Sequence, residues 1–168
     1  MKIKKVMNSK VESCGNDTDL ATAARIMAGY DCGALPVLHS GKVVGMITDR
    51  DICVALAVNG QSASSTTVDK IMAIEVYHCS PEDSLKSALR TMRRKRVRRL
   101  PVINGDGGLE GILSITDVAL NAGRAGRKRR RRSSYKSVLR AYLGISRRRT
   151  SSQETGGAQK SAVGGQAR

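Results

Sequence analysis

Neither phenylalanine nor tryptophan occurs among the 168 residues, and four tyrosines are the only aromatic side chains. A core must therefore be built from Val, Ile, Leu, Met and Ala, and a platform of stacked aromatics that reads nucleobases is not indicated. Histidine is nearly as scarce. His39 falls in a turn and His78 beside Cys79, neither with a second histidine or a carboxylate at ligand spacing, which argues against a metal centre or a histidine base. There is no glycine-rich phosphate loop with its lysine and no nucleophile elbow, so the expectation is a protein that is not an enzyme and uses no catalytic cofactor. No apolar run reaches the roughly 18 residues of a membrane span. Met1-Lys2-Ile3-Lys4-Lys5 is followed by no apolar stretch of signal-peptide length, which predicts a soluble, cytoplasmic protein without a transmembrane segment. The cysteines at 14, 32, 53 and 79 lack both metal spacing and a secreted context and read as reduced thiols, with Cys14 and Cys79 in equivalent positions that could bring them close together.

Acidic residues are few, and their distribution marks a boundary. Residues 1–122 carry 16 Lys and Arg against 13 Asp and Glu, a net of +3, whereas residues 123–168 carry 14 against 1, a net of +13. The basic excess is thus a property of the tail.

The first 122 residues contain one unit used twice. At a fixed offset of 65, Lys5/Lys70, Met7/Met72, Cys14/Cys79, Leu20/Leu85, Ala23/Ala88, Met27/Met92 and Leu35-Pro36-Val37/Leu100-Pro101-Val102 coincide. One extra residue in Asn104-Gly105-Asp106-Gly107-Gly108 shifts the offset to 66, which aligns Gly45/Gly111, Thr48/Ser114 and Asp51/Asp117. A period this long is a compact supersecondary unit rather than a solenoid repeat. The division expected is repeat one over 3–60, a polar linker over 61–67, repeat two over 68–122 and a tail over 123–168.

Each copy reads as strand, helix, strand, strand, helix. An extended segment begins near Val11. Gly15-Asn16-Asp17-Thr18 then opens a helix whose Leu20, Ala23, Ala24 and Met27 share one face, and Gly29 ends it. In copy two the expected N-cap is Ser80, with Pro81 at the first helical position, Asp83 three residues after the cap and Leu85, Ala88, Leu89 and Met92 on the face. Leu35-Pro36-Val37-Leu38 reads as a strand that its proline restricts to an irregular or edge position. A tight turn at His39-Ser40-Gly41-Lys42 leads to the apolar strand Val43–Ile47, and Thr48 starts a helix carrying Ile52, Ala55, Leu56 and Val58. A helix over Arg90–Arg99 carries a run of cations that reads as a solvated face. In the tail, Arg127-Lys128-Arg129-Arg130-Arg131-Arg132 and Arg147-Arg148-Arg149 flank an amphipathic helix expected over 134–146, through Val138, Leu139, Tyr142 and Leu143. The last twenty residues are expected to be disordered.

Gly33-Ala34-Leu35-Pro36-Val37, Thr48-Asp49-Arg50-Asp51-Ile52 and Val97-Arg98-Arg99-Leu100-Pro101-Val102 together resemble the tandem cystathionine-beta-synthase (CBS) domain pair, the Bateman module, most closely its stand-alone bacterial form. The resemblance covers roughly residues 3–122. It implies a mixed α/β fold of two βαββα repeats packed with pseudo-two-fold symmetry. It also implies a regulatory module that binds an adenosine nucleotide (AMP, ADP, ATP) or S-adenosylmethionine between the repeats, signals to a partner and forms a homodimer.

The residues supply a chemistry for that ligand. In Thr48-x-x-Asp51 the hydroxyl and the N–H groups at a helix start suit a phosphate, and Asp51 is placed to accept from both ribose hydroxyls. Ser114 and Asp117 repeat the arrangement. Ala34 and Pro36 are small enough to line a slot for an adenine ring, with Arg99 and Pro101 as their counterparts, and Arg50 and Arg98 are candidates for phosphate contact. The same spacing is also a capping box, which exists without any ligand. Copy two has Ile115-Thr116 in place of Asp49-Arg50 and Arg99 in place of Ala34, so the two clefts are expected to differ in affinity. The alternative reading is an adaptor for nucleic acid or another polyanion, acting through the arginine blocks at 127–132 and 147–149, with an anionic membrane surface as the competing use of the tail.

Overall fold

The computed structural model describes residues 1–124 and 128–146. Repeat one consists of β1 (Cys14–Gly15), α1 (Leu20–Gly29), β2 (Ala34–His39), β3 (Lys42–Thr48) and α2 (Asp49–Ala57). Repeat two consists of α3 (Leu85–Lys95), β4 (Arg99–Ile103), β5 (Leu109–Ser114) and α4 (Ile115–Arg124), and α5 (Lys128–Ser146) follows it. The mixed α/β architecture with a doubled unit is the one expected. Repeat two lacks a counterpart of β1: Cys79 makes a single parallel bridge to Val102.

The sheets explain how proline is accommodated. In repeat one the order is β1-β2-β3, so Pro36 lies in the middle strand rather than at an edge, paired with Met46. β1 is two residues long and pairs only with Val37 and Leu38, beyond the proline. Pro101 shows the same economy, because its carbonyl accepts the Cys79 N–H at 3.1 Å while its missing donor leaves no acceptor stranded. Ser40 and Gly41 both have positive φ, as the two-residue turn between β2 and β3 requires.

The helix starts differ in detail from expectation. Asp19 caps α1, its carboxylate accepting the Thr22 N–H at 2.9 Å. Ser80 does not cap α3. Instead, Ser80-Pro81-Glu82-Asp83 forms a turn in which the Asp83 carboxylate takes the Ser80 N–H, and Ser84 caps the helix by accepting from the Ser87 N–H at 3.2 Å. α3 ends at Lys95, and Arg96 adopts the left-handed conformation (φ 56°), so Arg98 and Arg99 lie beyond it.

Each repeat is closed by a segment from elsewhere in the chain. The 3-10 turn Ile3–Lys5 buries Ile3 and Val6 in the core of repeat two, with Leu89, Met92, Leu100, Val102 and Leu113. The matching turn Val68–Lys70 buries Val68 in the core of repeat one, with Leu20, Leu35, Val37 and Ile47. The two exchanges are superimposable at the offset of 65. Ile3 N–H donates to the Asp83 carbonyl at 3.0 Å as Val68 N–H donates to Thr18 at 2.8 Å, and Leu85 N–H donates to Met1 as Leu20 N–H donates to Thr66, both at 3.0 Å. Close approach fixes glycine at two equivalent positions: a Cβ on Gly45 would stand 2.3 Å from the Met72 sulfur, and one on Gly111 2.6 Å from the Asn8 carbonyl. Cys14 and Cys79 sit one in each core, not together, and all four cysteines are free thiols.

α5 begins at Lys128, earlier than the expected 134, and packs on α3 and α4. Its buried side is Val138, Ala141 and Ile145, whereas Leu139, Tyr142 and Leu143 are exposed. Small Ala141 and Gly144 let the helix approach closely there. Arg127, Arg147, Arg148, Arg149 and the last twenty residues lie outside the described residues, and Lys128, Arg129, Arg130, Arg131 and Arg132 form the first turns of α5.

Candidate functional site

Thr48-x-x-Asp51 is a complete capping box. The Thr48 N–H and hydroxyl both donate to Asp51 Oδ2, at 2.9 and 2.6 Å, and the Asp51 N–H returns to Thr48 Oγ1 at 3.2 Å. Ser114 and Asp117 repeat all three bonds, at 2.9, 2.6 and 3.0 Å. In both copies the second carboxylate oxygen, Oδ1, accepts nothing among the described residues, so the box leaves an acceptor over.

This cap changes the expected chemistry of the helix start. The Arg50 N–H donates to Asp49 Oδ1 at 2.7 Å and the Asp51 N–H is taken by Thr48, so both are already satisfied, and two acidic side chains occupy the first turn. A phosphate would meet repulsion there rather than free donors. Any anion held near this helix start would have to be met by side chains instead.

Those side chains converge on a cavity of about 290 Å³ beside α2. Arg50 and Asp51 wall it from the helix, and Lys70 and Ile71 wall it from the exchanged segment that opens repeat two. Asn59 and Gln61 complete it past the end of α2, where the Gln61 N–H is anchored to the Ala55 carbonyl at 3.0 Å. The Gln61 Oε1 is enclosed and has no hydrogen-bond partner among the described residues, which costs the amide its solvation. Two cations and one carboxylate thus share a small space.

Of the other sequence-selected residues, Ala34 pairs with Thr48 across β2 and β3, which puts it at the same end of the sheet as Asp51, and Arg99 pairs with Ser114 in the matching position. Ala34 is 6% exposed and Pro36 below 2%, so neither lines an open slot, and Pro101 is buried likewise. Ala34, Pro36 and Pro101 therefore belong to the packed floor under the two helix starts rather than to an open wall. Arg98 and Arg99 are exposed, and the Arg98 carbonyl accepts the Ile115 N–H at 2.9 Å.

Sequence reasoning did not select Lys70, Asn59, Gln61 or Ile71. Lys70 had a visible signal, its duplicate Lys5, but only the exchange of segments shows which helix it faces. The equivalents of Arg50 and Lys70 in repeat two are Thr116 and Lys5, so that repeat retains one of the two cations. Among the described residues, no group of three or more His, Cys, Asp or Glu is arranged to hold a metal, and no helix is long and apolar enough to cross a membrane.

Known proteins resemble this chain in sequence and in fold. The chain is 32% identical over 119 residues to the CBS domain-containing protein YhcV of Bacillus subtilis, an alignment spanning 71% of this chain and 84% of that protein. It is 32% identical over 115 residues to hypoxic response protein 1 of Mycobacterium tuberculosis, covering 68% and 80%. Among solved structures, hypoxic response protein I with two coordinated zinc ions superposes with a TM-score of 0.66 at 30% identity, covering 71% of this chain and 98% of that one. The CBS domain pair of protein MJ0100, in complex with 5'-methylthioadenosine and S-adenosyl-L-methionine, superposes with a TM-score of 0.67 at 23% identity, covering 74% and 97%, a likeness of fold. The CBS domain model matches twice, at residues 3–58 and 68–122, on the two halves that the duplicated capping boxes and exchanged 3-10 turns define. The chain therefore belongs to the CBS domain family, as a tandem pair followed by a basic helix.

Proposed function

We propose that the protein is a regulatory module without catalytic activity that binds an adenosine nucleotide in the cavity between α2 and the Lys70 segment. The observation that carries this reading is the trio Arg50, Asp51 and Lys70 around one space of about 290 Å³. A carboxylate with a free oxygen is the natural acceptor for a ribose diol, and two cations are the natural partners of a phosphate. The volume lies at the small end of ligand pockets, about 300–1,000 Å³, which favours a mononucleotide over a dinucleotide. The excess of positive charge favours AMP, ADP or ATP over S-adenosylmethionine, whose sulfonium would be repelled. The methylthioadenosine and S-adenosylmethionine bound by the MJ0100 pair support the adenosine class.

Such a ligand signals only by binding one arrangement of the chain better than another. Here it would tie α2 of repeat one to the segment leading into repeat two, so the partner reads the angle between repeats. By family resemblance the module acts as a homodimer. Calorimetric titration of the full-length chain with AMP, ATP and S-adenosylmethionine tests the reading. AMP or ATP should bind, Asp51→Asn should weaken binding at least ten-fold, and Lys70→Gln should weaken the nucleotides more than adenosine. No heat and no thermal shift with any of the three would overturn it.

A further inference from the structure

α3 and α5 meet along a cleft of about 140 Å³ walled by Lys86, Arg90 and Arg93 from α3 and Arg140 from α5, with Ser137 and the buried Leu89 and Ala141 completing it. No acidic residue lines it. None of the four cations makes an ion pair among the described residues, where the pairs present join Lys2 and Lys4 to Glu82 and Lys95 to Glu75.

The fold does not require this concentration of charge. At the equivalent positions α1 carries Ala21, Arg25 and Ala28, and Arg25 is engaged with the Thr22 hydroxyl at 2.7 Å. The helix dipole accounts for the cations in the last turn of α3 but opposes Lys86, which stands in the first turn. Four cations with no ion-pair partner among the described residues repel one another around one small space, and an anion seated among them relieves that repulsion. α5 also lies so close that a Cβ on Gly144 would stand 2.4 Å from Arg93 Cγ, which lays the Arg93 stem along the junction.

We infer that this cleft binds the phosphodiester backbone of a nucleic acid. From Lys86 to Arg93 the row of cations runs about 10 Å along α3. Phosphates follow one another about every 3.4 Å of axis in a stacked helical strand and more widely in an unstacked one, so the row spans about two to three of them. No aromatic side chain lines the cleft, so recognition is by phosphate and independent of sequence. A membrane surface fits less well. On this side α5 has already committed Val138, Ala141 and Ile145 to the core, and the exposed Leu139, Tyr142 and Leu143 point the other way round the helix.

The test measures binding of a fluorescein-labelled 20-nucleotide oligouridine to the full-length chain by anisotropy at several salt concentrations. Arg90→Gln with Arg140→Gln removes two cleft charges, and Arg94→Gln with Lys136→Gln removes two exposed charges that do not line it. The first pair should lower affinity at least ten-fold and flatten the log–log salt slope by about 1.4, and the second should cost less than three-fold. Gly144→Val, which changes no charge but forces α5 off Arg93, should also weaken binding. Equal losses from the two charge pairs, or unchanged binding in Gly144→Val, would reduce the effect to bulk charge and overturn the site. So would stronger binding to phosphatidylserine vesicles that depends on Leu139 and Leu143 rather than on Arg90 and Arg140.

Discussion

In repeat one, the groove between α1 and α2 is open. A cavity of about 410 Å³ lies there, bordered by Ala28, Asp31, Gly33 and Asp49 above the buried Met27 and Ile52. In repeat two, the equivalent positions are Arg93, Arg96, Arg98 and Ile115 above Met92 and Val118, and α5 covers the groove. One backbone plan has been finished in two ways. Small and acidic borders leave the first groove to solvent, while apolar residues and long arginine stems make the second a bed for a helix. Both halves keep the same frame, and the residues at its rim decide what each half can dock.

Removing α5 should have the largest effect on the balance between the two halves. A chain ending at Asn121 exposes the bed around Leu89, Met92 and Val118, and should lose about 4 kcal/mol by urea unfolding, with repeat two melting ahead of repeat one. An unchanged midpoint would mean that α5 is no part of the core. Next in size, Leu35→Ala and Leu100→Ala remove the same fully buried side chain from the two cores and should each cost about 3 kcal/mol. Costs that differ by more than about 1 kcal/mol would show that one core relaxes around a cavity and the other does not.

The smallest effect concerns the paired thiols. Burial pushes Cys14 up to about 11 and Cys79, with Asp83 adding to the effect, up to about 12, from an ordinary value of 9.0. Because folding holds both protonated, their contribution to stability is complete below pH 9 and lost as pH rises through 11 to 12. Iodoacetamide at pH 8 should accordingly modify exposed Cys53 first and Cys79 last, as read by mass spectrometry. Rapid labelling of Cys79 would separate the two cores.

Much of this was legible in the residues. The fixed offset announced two copies, and Thr48-x-x-Asp51 announced a capping box in each. The start of α3 was not, because Ser80 and Ser84 are both adequate caps and only the turn at Pro81 decides between them. Nor was the partner of the first residues: Lys5/Lys70 and Met7/Met72 show equivalence, but equivalence does not say which core each enters. The cavity at Asp51 was half legible, since the capping residues carry local spacing while Lys70 and Gln61 arrive through tertiary contact. On α5 the pattern Val138, Leu139, Tyr142 and Leu143 pointed to one face, and the helix instead buries the side where Ala141 and Gly144 permit close approach.

The exchanged 3-10 turns carry a mechanical consequence. Anything tethered ahead of Met1 pulls first on the second half of the molecule, because Ile3 is seated in that half, whereas tension along the connection near Val68 is delivered to the first. Neither half could be severed at the connecting stretch and still own all of its interior.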